Sequence, residues 1–155
     1  MNFAELEWRA DQLLAGFIRP ADVAILLTAG ESIRWKLDKL SAIASEVLAD
    51  PQAKSTLLGW IKASLLLISR RNELVHSFYR AWDDDQQLIR MKATTRGGQW
   101  KARFEPIDLT GLTQTAGLLA DGLSVADLLM QQLAADCPEW HDPAGAAESQ
   151  QHQAI

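Results

Sequence analysis

Apolar residues recur at alternating spacings of three and four along most of this chain, and the spacing drops to two in one interval only, residues 87–105. A helix repeats every 3.6 residues and a strand every two. The pattern therefore predicts a mainly α protein: an up-and-down bundle of about four principal helices, with a β-hairpin between the third and fourth. The first helix is expected over residues 2–17, turning Phe3, Leu6, Ala10, Leu13 and Phe17 inward, with Gly16 and Pro20 bracketing its end. A longer second helix is expected from Ala21 to Leu48. Its stripe is Leu26, Gly30, Ile33, Leu37, Leu40, Ala44 and Val47, and Gly30 allows a neighbour to come close.

Asp50-Pro51 signals a restart, because Asp caps free amides and Pro suits the first helical position. The third helix is expected to run from Pro51 to Trp82 and to stop at Asp83-Asp84-Asp85. Three adjacent acids repel one another and favour a solvated loop. They read as a loop rather than a metal site, since no histidine or further acid stands at a supporting spacing. A fourth helix is expected from a cap at Asp108 or Thr110 to about Asp136, along Leu112, Ala116, Leu119, Leu123, Ala126, Met130 and Leu133. Residues 1–136 then form one helical domain. Residues 137–155, short in apolar side chains, read as a frayed tail, and its His141 and His152 receive no role.

In the hairpin, Ile89, Met91 and Ala93 alternate with Arg90 and Lys92, and Trp100, Ala102 and Phe104 alternate with Lys101 and Arg103 around Gly97-Gly98. Its apolar face is expected to pack on the bundle. Arg90, Lys92, Lys101 and Arg103 then share the outer face, either as phosphate contacts or as a merely solvated surface.

Composition narrows the function classes. A chain of 155 residues that is 48% hydrophobic can bury one full core. A net charge of −5 argues against bulk, nonspecific nucleic-acid binding while leaving room for a local basic patch. One cysteine, Cys137, excludes an internal disulfide framework and fits a reducing compartment. No signal-peptide core opens the chain, and no apolar run approaches the roughly 20 residues a bilayer crossing needs. A cytoplasmic protein with no membrane association and no cofactor is expected, since no phosphate-cradling glycine loop, CxxC pair or nucleophile elbow is present.

One stretch breaks the apolar logic of the third helix. After Trp60-Ile61-Lys62-Ala63-Ser64-Leu65-Leu66-Leu67-Ile68-Ser69 come Arg70-Arg71-Asn72-Glu73-Leu74-Val75-His76. Leu58, Ile61, Leu65, Ile68, Asn72, Val75 and Tyr79 fall on one stripe, and His76, four residues after Asn72, shares its side. A polar amide on such a stripe costs about 1–3 kcal/mol unless it is hydrogen-bonded. Two arrangements satisfy the pattern. Asn72 and His76 are a buried polar pair holding bundle register, or Arg71, Asn72 and His76 open onto a cleft and do chemistry.

The set Arg71-Asn72-Glu73-Leu74-Val75-His76 resembles the Rx4-6H signature of the HEPN superfamily, small helical-bundle proteins common in toxin–antitoxin, abortive-infection and RNA-processing systems. The layout is similar too, with the motif on a long third helix. The resemblance implies a homodimer whose paired motifs cleave RNA without metal. Arg71 would contact the scissile phosphate, His76 would move protons and Asn72 would orient them. It also implies an antitoxin or other protein partner. Toxin members often carry a tyrosine two residues after the histidine, which a partner nucleotidyltransferase modifies; here Phe78 holds that position and Tyr79 follows it. Many members are instead noncatalytic modules that bind a nucleotide or a protein.

Overall fold

A computed structural model describes residues 3–81, 88–96, 99–107, 109–137 and 140–141. Five helices and three strands follow in the order α1 (Phe3–Phe17), α2 (Ala21–Thr28), α3 (Ile33–Val47), α4 (Pro51–Val75), β1 (Phe78–Ala81), β2 (Leu88–Arg96), β3 (Gln99–Pro106) and α5 (Leu109–Asp136). The protein is mainly α, with an antiparallel β-hairpin between the motif helix and the last helix, as the periodicity predicts. The core gathers Leu6, Leu13, Leu37, Leu40, Leu57, Trp60, Leu129 and Leu133 from α1, α3, α4 and α5. The Trp60 indole N–H adds a tie, donating to the Gly122 carbonyl of α5 at 2.8 Å.

Three boundaries differ from expectation. The long second helix is two, because Gly30 adopts φ +80 and breaks it. No atom lies within 4 Å of where its Cβ would stand, so this glycine serves backbone reversal rather than close approach. Ser32 then caps α3, accepting from the Trp35 N–H at 3.3 Å. Leu26, assigned to the inward stripe, is 76% exposed on the separate helix α2, beside exposed Ile25 and Leu27.

The third helix stops at Val75 rather than Trp82. His76 takes φ −94 and ψ 14 while its N–H still bonds the Asn72 carbonyl at 3.0 Å. Aromatic Phe78 and Tyr79 follow, residues that suit a strand, and Phe78–Ala81 pairs antiparallel with β2 from Met91 back to Leu88. The hairpin thus becomes a three-stranded sheet in the order β1-β2-β3. Asp83, Asp84, Asp85, Gly97 and Gly98 lie outside the described residues.

The third difference concerns the start of the tail. Trp140 is buried against α1, where a Cβ on residue 16 would fall 2.0 Å from its indole nitrogen. The His141 N–H donates to the Gly16 carbonyl at 2.8 Å. A large ring seeking cover, and a glycine that lets it lie on the backbone, seat these residues on the bundle. Residues 142–155, His152 among them, lie outside the described residues.

Helix α3 is locked to α1 by a buried cation. Lys36 Nζ lies 2.9 Å from Glu7 Oε1 and 2.9 Å from Asp11 Oδ2, with its side chain only 6% exposed. Burial works to lower the lysine's pKa, but hydrogen bonds to Asp11 and Glu7 and their charges outweigh it, leaving the value raised from 10.5. The folded chain therefore holds this proton more tightly than the unfolded chain. Its contribution to stability is full below the ordinary lysine value of about 10.4 and is lost as pH climbs through the higher folded value. Replacing Lys36→Met keeps the stem and strips two carboxylates of their partner, and is expected to cost about 1–3 kcal/mol in urea unfolding at pH 7. As the pH is raised from 7, the gap between wild type and variant should hold until about pH 10.4 and narrow beyond it; a gap already closed at pH 9 would remove the pair from the stability of the fold.

Candidate functional site

The buried side of α4 is drawn by Ala53, Leu57, Trp60, Ile61, Ser64 and Leu67. Beyond Leu67 the helix outruns the core. Leu65 and Ile68 are half-covered, and Asn72, Val75 and His76 are exposed. The stripe expected to stay inward over Asn72 and Val75 meets solvent instead, because among the described residues no helix packs over these last turns tightly enough to bury them. Of the two arrangements the sequence allows, the sealed polar pair is not the one adopted.

These residues open onto a groove of about 790 Å³ between the start of α1, the first turn of α3 and the end of α4. Phe3, Ile33, Leu65 and Ile68 give it an apolar floor, and Arg71, Asn72 and His76 line it together. The Arg71 guanidinium donates to Asn72 Oδ1 at 3.0 Å, so the amide steers the arginine. The hydroxyl of Ser77 donates to the Glu73 carbonyl, closing the turn after His76. His76 sits in the bridge region of backbone space, where helices end and many active-site residues are found. The early exit of the chain into β1 puts the imidazole at the helix tip.

Arg34, also on the groove, escaped the sequence reading. Its signal was the helix start at Gly30-Glu31-Ser32, which places residue 34 in a first turn instead of mid-helix. The Glu7–Lys36–Asp11 cluster escaped it as well. The pointer was a lysine next to the core position Leu37, with two acids four apart on α1 to receive it.

The hairpin residues fare differently. Register places Arg90 opposite Glu105, Lys92 opposite Arg103 and Thr94 opposite Lys101, so the four basic residues do share one face. That face is not simply outward. Arg90 is 19% exposed, pairs with Glu105 and lies 3.8 Å from Glu73 on the last turns of α4. On the opposite face, Phe104 is exposed. Ala102 offers that face little area to bury, whereas Glu73 gives Arg90 a carboxylate on the bundle. Arg103 is exposed but shares Glu105 at 2.8 Å, and Lys101 is exposed. The side chain of Lys92 lies outside those described. The sheet and the groove thus contribute separate sets of charges, and Arg90 serves as the link between sheet and helix.

Among the described residues, no cluster of three or more His, Cys, Asp or Glu is placed to hold a metal ion, and no helix is long and apolar enough to cross a membrane. Comparison with protein-family models, with curated proteins and with solved structures finds no match.

Because the motif side chains lie in an open groove, Arg71→Ala, Asn72→Ala and His76→Ala should each leave unfolding free energy within about 0.5 kcal/mol of wild type in urea titrations. A loss of about 1–3 kcal/mol at His76 or Asn72 would mark it as a structural group instead.

Proposed function

We propose that this chain is a metal-independent endoribonuclease of the HEPN type, a toxin or phage-defence component that works as a homodimer. The observation that carries the reading is the convergence of Arg71, Asn72 and His76 on one solvent-open groove. Groups held there for packing would be covered; these are available to a ligand.

The chemistry follows from what an RNA strand brings. A ribose 2′-hydroxyl gives its proton to a base and attacks the adjacent phosphorus. The 2′-oxygen–phosphorus bond forms as the bond to the 5′-oxygen breaks, and an acid returns a proton to that leaving oxygen. The products are a 2′,3′-cyclic phosphate and a free 5′-hydroxyl. Base and acid stand on opposite sides of the phosphorus, so one His76 cannot serve as both, and a two-fold axis supplies the second. Arg71 meets the charge that builds on the nonbridging oxygens, its fork matching their spacing. Asn72 fixes the guanidinium through the 3.0 Å bond. Val75, 57% exposed beside His76, gives apolar surface at the motif for the second subunit to cover.

Helix α2 favours an added role in binding a protein. Exposed Val23, Leu26 and Leu27, at the three- and four-residue spacings that share a helix face, make an apolar strip suited to a partner such as an antitoxin. A noncatalytic module that holds a nucleotide or a protein would keep this strip and the groove but need no second His76.

Two measurements test the reading. Sedimentation equilibrium at micromolar concentration should report about twice the chain mass of 17.2 kDa; a monomer would leave the binding module as the better account. Incubated with single-stranded RNA in EDTA, the protein should release fragments ending in 2′,3′-cyclic phosphate. His76→Ala and Arg71→Ala should each lower that rate by ~10²–10⁴-fold. Absence of cleavage by purified wild-type dimer would remove the enzyme.

A further inference from the structure

The groove carries a second guanidinium besides that of the motif, on Arg34. Two carboxylates line it, and both are engaged: Glu7 by Lys36 at 2.9 Å, and Glu73 by Arg90 at 3.8 Å. Two guanidinium groups line it, and neither forms an ion pair among the described residues. Arg71 donates to the neutral Asn72 amide, and Arg34 stands on the first turn of α3, on another wall. Each groove acid shares its cation with a further acid, Asp11 at Lys36 and Glu105 at Arg90, and neither is paired with Arg34 or Arg71 among the described residues. A volume of about 790 Å³ is well beyond what one oxyanion needs and falls within the size of ligand pockets.

We propose that Arg34 binds a second phosphate of the nucleic-acid strand, the one neighbouring the phosphate held at Arg71 and His76. This rests on the reading of Arg71 as a phosphate contact. The strand crosses from the end of α4 to the start of α3, with a nucleotide between the two arginines over the apolar floor of Leu65, Ile68 and Ile33. Arg34 is a binding residue: it touches substrate away from the bond that breaks. It sets the minimum length of a good substrate at two phosphates, and it makes affinity depend on salt through two contacts instead of one.

The test uses the full-length chain and single-stranded 2′-deoxy oligonucleotides, which cannot be cut for want of a 2′-hydroxyl. Calorimetric titration compares a dinucleotide with one phosphodiester, a trinucleotide with two, and a hexanucleotide. Wild type should gain roughly ten-fold in affinity from the second phosphate. Arg34→Ala should bind the dinucleotide as wild type does and lose that gain. Arg34→Lys should keep part of it, having the charge without the fork. The slope of log Kd against log salt for the hexanucleotide should fall by about 0.7 in Arg34→Ala, the value for one contact on a single strand. Matching melting curves establish that Arg34→Ala is folded.

Equal affinity of Arg34→Ala and wild type for the trinucleotide would overturn the inference and make Arg34 a solvated charge, even if the protein cleaves RNA. A second-phosphate gain that depends on Arg34, in a protein that never cleaves RNA, would uphold it and remove only the catalytic reading. No binding of any of these oligonucleotides by wild type would overturn it together with the phosphate role of Arg71.

Discussion

The ammonium of Lys36, closed between Glu7 and Asp11, fixes the relation of α1 to α3 on which the groove depends. A lone buried ammonium would be costly, and two carboxylates on successive turns of α1 hold it by hydrogen bonds and charge together. Because Arg34 lies two residues before Lys36, seating the lysine also sets where the first turn of α3 stands. Because Glu7 lines the groove, holding it on Lys36 keeps its carboxylate from pairing with the groove's arginines. One ion cluster thus acts on fold, shape and local charge pairing at once.

The second constraint is where α4 ends. Its apolar stripe belongs to the bundle through Leu67, and the Trp60–Gly122 hydrogen bond pins that part of the helix to α5. Past this point the helix runs into solvent and the chain turns at His76 into a strand. A helix continued to residue 82 would have left Asn72 and His76 in mid-helix. Ending at Val75 puts them at the tip, beside the start of α3.

Much of the fold was legible in the sequence, since it follows from period alone. The apolar stripes of α1 and α5, the Asp50-Pro51 restart and the period-two hairpin each reflect one face seeking cover. What the stripes could not show was how far each is covered. Leu26 and Val75 fit their patterns and still face water, because burial depends on neighbours that the local sequence does not specify. The break at Gly30 is visible only as a glycine, a residue that suits close packing and backbone reversal alike, and its φ of 80 shows which of the two it serves. The members of the site were legible where they are contiguous, as Arg71, Asn72 and His76 are. Arg34 and Glu7 come from two other helices, and only the folded arrangement brings them to the motif.

The central claim is that the groove between α1, α3 and α4 presents Arg71 and His76 to a phosphate shared by two subunits. A crystal structure of the protein with an uncleavable single-stranded oligonucleotide tests it most directly. The account predicts a dimer in which one phosphate lies within hydrogen-bond reach, about 3 Å, of an Arg71 guanidinium, with the two His76 side chains on opposite sides of it. A dimer that seats its two His76 groups on remote faces, or a strand bound on the sheet with the groove unused, would contradict it.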